Sequence, residues 1–128
     1  MKKSTFTNNT APFGGAIYIS NDKSYKSPGQ YEIISNDFEA NKANQGGAIL
    51  ADNSNIDIMS NSFRNNSAGF VYDIMGGDEH TESGGAMRLT CSKLEYCQYD
   101  VEKNTFEGNQ GKNSGGAVSW DGTQPNSL

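Results

Sequence analysis

Three carboxylates, Glu32, Asp57 and Asp100, occupy like positions in a recurring pattern of this 128-residue chain. Stacked on adjacent turns they would form an acidic strip. Paired carboxylates supply the acid and the base or nucleophile of glycoside hydrolysis, and acidic clusters holding a cation serve metal-assisted chemistry. Such sites also want an Arg or Lys base. None stands in register here, and no His is near. The outward positions one strand further on, Thr5, Asp37, Ser62 and Thr105, are mixed in character. The plainer reading is a solvated acidic face; a polysaccharide lyase or hydrolase is the alternative.

Asp73, Asp78, Glu79, His80 and Glu82 surround Gly76 and Gly77. Carboxylates on a glycine-rich loop can collect Ca²⁺, but the spacing fits neither an EF-hand nor a Gly/Asp calcium repeat. A solvated loop is expected, with His80 exposed, and no cofactor. Asp73, Asp78, Glu79 and His80 remain candidates for contact with a partner. Cys91 and Cys97, with one His in the chain, are too few for a structural zinc site. Asn8-Asn9-Thr10 and Asn65-Asn66-Ser67 are glycosylation sequons, making Asn8 and Asn65 candidate acceptors.

The elements that would position these groups come from one pattern written four times. Phe6, Phe38, Phe63 and Phe106 are each followed three residues later by Asn9, Asn41, Asn66 and Asn109. Gly-Gly-Ala and an apolar residue then follow, ending at Ile17, Ile49, Met87 and Val118. Two residues before each Phe stand Ser4, Asn36, Asn61 and Asn104; five before stand Met1, Ile33, Ile58 and Val101. A fixed repeat of this length indicates a solenoid. Beyond the glycines apolar residues alternate, as in Ile17 and Ile19, Met87 and Leu89, Val118 and Trp120, which is a strand signal. Tyr18, Leu50, Arg88 and Ser119 fall between them and are expected to face outward.

The expected fold is all-β, a parallel β-helix of about four coils. Each coil would hold three strands, carrying Tyr31 and Ile33, then Asn36 and Phe38, then Gly-Gly-Ala-Ile. Coils pair about 4.8 Å apart, so like residues stack. A ladder Asn would bond the amides of its own loop and the next Asn. Successive Phe residues lie 32, 25 and 43 apart. The middle value is one unadorned coil. The excess falls at Asn21–Gly29, at Ser67–Ser83 and around Cys91–Cys97; alternatively the third interval hides two degenerate coils, with Gly69-Phe70-Val71-Tyr72 as a strand. Insertions of this kind are where a solenoid acquires specific contacts.

The paired Phe-x-x-Asn and Gly-Gly-Ala-aliphatic motifs resemble the repeats of the polymorphic outer membrane proteins, the Pmp adhesins of chlamydiae, and similar surface proteins of some protists. The resemblance covers nearly the whole chain. It implies a right-handed, pectin-lyase-like parallel β-helix at a cell surface, used for adhesion or assembly, with protein or glycan partners. In that setting Cys91 and Cys97 pair and staple their insertion; in a cytosolic protein they would stay reduced.

Composition fits this class. Only 34% of residues are hydrophobic, while Asn and Gly number 15 each, which is turn chemistry. A net charge of −5 argues against nucleic acid. No apolar run is long enough for a membrane helix, and outward Thr residues are too few for an ice-binding array. Met1-Lys2-Lys3-Ser4-Thr5 leads into no apolar stretch, so no export signal is read. Met1 already holds a core slot. The expectation is therefore one β-helix segment over 1–128, either a piece of a longer protein or a unit stacking on further copies of itself.

Overall fold

Apolar residues recurring at fixed offsets let each strand find its equivalent one coil away. The computed structural model describes residues 2–21, 30–69, 84–91, 97–112 and 115–121. The first coil holds β1 (Thr5–Thr7) and β2 (Ile17–Ser20). The second holds β3 (Gln30–Ile34), β4 (Asp37–Glu39), β5 (Lys42–Ala43) and β6 (Ile49–Asp52). The third holds β7 (Asn55–Met59), β8 (Ser62–Arg64), β9 (Ser67–Ala68) and β10 (Met87–Thr90). The fourth holds β11 (Tyr99–Glu102), β12 (Thr105–Glu107), β13 (Gln110–Gly111) and β14 (Val118–Asp121). Equivalent strands pair in parallel into sheets ordered β1-β4-β8-β12, β14-β10-β6-β2, β11-β7-β3 and β13-β9-β5. This is an all-β parallel β-helix.

Three expectations need correction. The second, third and fourth coils have four strands, not three, because the chain runs two residues in parallel after the ladder Asn, as Lys42–Ala43 and Ser67–Ala68 do. Ala43 and Ala68 are fully buried there, small enough to lie against the core. The Gly-Gly-Ala element lies outside the fourth strand, which begins at the following Ile49, Met87 or Val118. Finally, the interval from Phe63 to Phe106 is one coil. β11 pairs directly with β7, and β10 with both β6 and β14, leaving no rung for another.

Phe6, Phe38, Phe63 and Phe106 form one stacked column, with ring centroids 4.9, 4.8 and 5.2 Å apart. Phe38 and Phe63 are fully buried between neighbours. Burial of one such side chain contributes about 3 kcal/mol. Ile49 and Met87 stack in register, as do Ala51 and Leu89, opposite Ile33, Ile58 and Val101. Tyr99 is the one large polar-tipped core residue. Its hydroxyl donates to the Thr90 carbonyl at 2.6 Å, which is why a phenol is tolerated inside.

Two corners of every coil share one construction. A residue with positive φ precedes a ladder Asn: Ser35 (59°) before Asn36, Ser60 (57°) before Asn61, Ala40 (56°) before Asn41, Asn65 (55°) before Asn66. The buried Asn side chains bond the next Asn, as expected, and they do so from coil to coil. The backbone N–H groups of Asn41 and Asn66 donate to the Oδ1 atoms of Asn66 and Asn109 at 3.0 and 2.9 Å. Asn66 Nδ2 donates back to the Phe38 carbonyl at 3.0 Å and forward to Asn109 Oδ1 at 3.0 Å. A second ladder repeats this through Ser4, Asn36, Asn61 and Asn104. Both ladders satisfy amides that a tight buried corner would otherwise orphan.

The glycine pairs set how closely rungs approach. Gly46 has φ of 62°, which disfavours a side chain. A Cβ on Gly47 would meet the Gly85 carbonyl oxygen and the Ser67 backbone. Strand β6 can therefore lie against its neighbours only if this position has no side chain.

Candidate functional site

The sheet β14-β10-β6-β2 carries the outward row Tyr18, Leu50, Arg88 and Ser119, in register. Only its first member is open, with Tyr18 55% exposed. Leu50 and Arg88 point outward as expected, yet they are only 5% and 8% exposed. Strand alternation predicts direction from the core but not what lies over the outer face. Beside Tyr18 stands Phe13, 36% exposed, with ring centroids 5.8 Å apart. This exposed aromatic pair escaped sequence reasoning. The available signal was that Phe13 stands outside the Phe-x-x-Asn positions.

The same sheet is flanked by all three insertions. One lies between β2 and β3, another between β9 and Gly84, and the third between β10 and β11. Most of their residues, including the candidate contact residues Asp73, Asp78, Glu79 and His80, lie outside the described residues. Cys91 and Cys97, which bound the third insertion, are joined by a disulfide with Cα atoms 6.0 Å apart. Both are buried against the core.

Glu32, Asp57 and Asp100 are brought into one column on the sheet β11-β7-β3. Desolvation raises the Asp57 carboxyl above the ordinary Asp range. The charge of Asp100 and a hydrogen bond with it add to the rise, as do the charges of Glu32 and Glu102. Gln98 Nε2 donates to Asp100 at 3.0 Å. Among the described residues, no Lys or Arg stands in register in this column. Among the described residues, no group of three His, Cys, Asp or Glu is arranged to hold a metal.

Asn8 and Asn65 are exposed at equivalent corners, each with positive φ, 58° and 55°. Asn65 borders a polar cleft of about 360 Å³ that is also lined by Lys42, Ser67 and Gln110. The side chains of both sequon Asn residues are therefore sterically open.

Fold and face together define a repeat solenoid that displays irregular segments along one sheet, without a catalytic constellation among the described residues. Residues 3–20 match the sequence profile of the Chlamydia polymorphic membrane protein repeat. That stretch contains Phe6, Asn9 and Gly14-Gly15-Ala16-Ile17, the motif pair of the first coil, so the resemblance to a Pmp-type repeat holds. The family so described is one of membrane proteins, which places this type of repeat at a cell surface in broad terms. No curated protein and no solved structure matches the chain. No helix among the described residues is long and apolar enough to cross a membrane.

Proposed function

We propose that this chain is a structural and adhesive module of an extracellular surface protein or filament. It contacts a protein or glycan through the face formed by β14-β10-β6-β2 and its flanking insertions. The observation that carries this reading is that all three insertions border one sheet. Regular rungs repeat the same small polar groups and give spacing. Insertions break the repeat and carry distinctive chemistry. The Cys91–Cys97 disulfide supports an oxidising, exported setting, and the match to a surface-protein repeat agrees.

The test uses beads coated with the chain and with a variant lacking 73–82, applied to cultured epithelial cells. Loss of adherence with an unchanged far-UV spectrum is expected. Equal adherence of the two would overturn the assignment of contact to that insertion. The second reading, a polysaccharide hydrolase, draws on the Asp57–Asp100 interaction. Turnover of a polysaccharide, lost on Glu32→Ala, Asp57→Ala or Asp100→Ala, would establish it instead.

A further inference from the structure

The two Asn ladders have a direction. At every step between neighbouring Asn residues the backbone N–H of the earlier coil donates to an Oδ1 of the later one. Each later Asn returns a bond from Nδ2 to a carbonyl of the earlier coil: Asn41 to Phe6, Asn66 to Phe38, Asn109 to Phe63 and Asn104 to Ile58. The two ends of the described solenoid are therefore unlike. On the first coil Asn9 Oδ1 receives no donor among the described residues, although Asn9 donates forward to Asn41. On the fourth coil Asn104 and Asn109 accept and give bonds back toward the third. Their own backbone N–H groups find no acceptor among the described residues. What the first coil lacks is what the fourth offers.

The apolar columns and charges agree with that polarity. Phe6 and Phe106 each stack on one ring and leave the other face free. Ile17 and Ile19 at one end, and Val118 and Trp120 at the other, continue the same columns and are only partly buried. The described first coil carries Lys2 and Lys3 and no carboxylate. The described fourth coil carries Asp100, Glu102, Glu107 and Asp121 against Lys103 and Lys112, a net charge of −2. Lys2, Ile34, Met59 and Glu102 share one column.

We infer that two copies of this chain stack head to tail, the fourth coil of one serving as the rung before the first coil of the next. Asn109 N–H then donates to Asn9 Oδ1 of the second copy, Asn9 Nδ2 reaches the Phe106 carbonyl, Phe106 stacks on Phe6, and Glu102 meets Lys2. Two of the four sheets continue across the joint as strands. Over β3 and β5 the described first coil has only isolated bridges, Lys2 with Ile34 and Thr10 with Lys42. A cleft of about 350 Å³, lined by Ile17, Ile19, Tyr31 and Ile33 among others, marks that gap. One like-charged pair, Lys103 over Lys3, opposes the joint. The contact is heterologous, so it propagates into a filament instead of closing as a dimer.

Cysteines at exposed edge positions read the joint without touching the core. Thr7, Glu39, Arg64 and Glu107 form one outward column. Within one molecule Thr7 and Glu107 are three rungs apart, about 14 Å, beyond disulfide reach of about 4.4–6.8 Å between Cα atoms. Across the proposed joint they lie on adjacent rungs. Under a glutathione redox buffer, an equimolar mixture of Thr7→Cys and Glu107→Cys should give the mixed dimer in at least tenfold excess over either homodimer. The Thr7→Cys/Glu107→Cys double variant should give a ladder of higher multimers that weakens as salt is raised. If either variant fails to fold, Thr10→Cys with Gln110→Cys reads the same joint from the neighbouring column. Homodimers in a statistical ratio or in excess would overturn the proposal, as would a chain sedimenting as a monomer at every concentration.

Discussion

Asn66 is the sharpest test of what holds the coils together. It is fully buried, and both ends of its amide are in use. Oδ1 accepts from Asn41 N–H at 3.0 Å and Asn41 Nδ2 at 2.9 Å, and Nδ2 donates to Phe38 O and Asn109 Oδ1. Replacement by Leu keeps the branching and the heavy-atom count, so no cavity term enters. It removes four hydrogen bonds and leaves the buried Asn41 amide without its acceptor. At about 0.5–1.5 kcal/mol net per bond, Asn66→Leu should cost about 2–6 kcal/mol. Asn9, exposed on the first coil, makes one side-chain bond among the described residues, from Nδ2 to Asn41 Oδ1, beside the backbone donation to the same atom. Its backbone bond survives substitution, so Asn9→Leu should cost about 1 kcal/mol or less. The assay is urea unfolding at a concentration where sedimentation finds monomer, comparing midpoints at constant slope. Equal losses for the two variants, or a loss under about 1 kcal/mol for Asn66→Leu, would refute the inter-coil ladder as a source of stability.

Phe63→Ala should cost about 3–5 kcal/mol, because the ring is sandwiched between Phe38 and Phe106 and its cavity cannot collapse; Phe106→Ala should cost measurably less by the same unfolding assay. Reducing Cys91–Cys97 closes no pocket but frees a short loop, so dithiothreitol should lower stability by about 2 kcal/mol, and an unchanged midpoint would count against a stapling role. Asp57 is raised by desolvation and by the Asp100, Glu32 and Glu102 charges; a carboxyl raised in the folded state favours folding below its ordinary pKa and loses that contribution as pH climbs through the folded value. Asp57→Asn should therefore raise stability at pH 7 by about 0.2–1 kcal/mol for each like-charged neighbour relieved, with the gain vanishing near pH 3; the same increment at both pH values would refute the coupling.

The sequence exposes those features that recur in register. Phe38 and Phe63 had to stack once their offsets from Asn41 and Asn66 were fixed, and the acidic column of Glu32, Asp57 and Asp100 followed from the same offsets. The two-residue strands β5, β9 and β13 carried no alternation to read. One inward Ala in two residues is no periodic signal. The second Asn ladder was half visible, because Ser4 stands where Asn36, Asn61 and Asn104 stand and disguises the column. Leu50 and Arg88 point outward as read, but their burial was not legible, because alternation reports the core side only. The candidate contact residues Asp73, Asp78, Glu79 and His80 have no repeat partner, so nothing in the pattern constrains them.

Where the insertions fall has a physical cause in the ladders. Both ladder corners are two residues long wherever a described strand precedes them: Ser35-Asn36, Ser60-Asn61 and Lys103-Asn104 at one, Asn8-Asn9, Ala40-Asn41, Asn65-Asn66 and Gly108-Asn109 at the other. An extra residue there would carry the Asn out of register and break bonds to the coils on either side at once. The remaining two corners carry no continuous Asn ladder, although Asn21 Nδ2 donates to the Asn53 carbonyl and Gln98 N–H to Asn55 Oδ1 at the first of them. Between β6 and β7 only Asn53 and Ser54 intervene, yet nine residues separate β2 from β3 at the equivalent place. Likewise Asn44 and Gln45 precede Gly46, whereas Gly69 through Ser83 precede Gly84. Both permissive corners border the sheet β14-β10-β6-β2. The hydrogen bonding that stabilises the rod therefore also decides which face can vary. Selection for new contacts can lengthen the chain beside Tyr18, Leu50 and Arg88, on the face proposed to bind a partner.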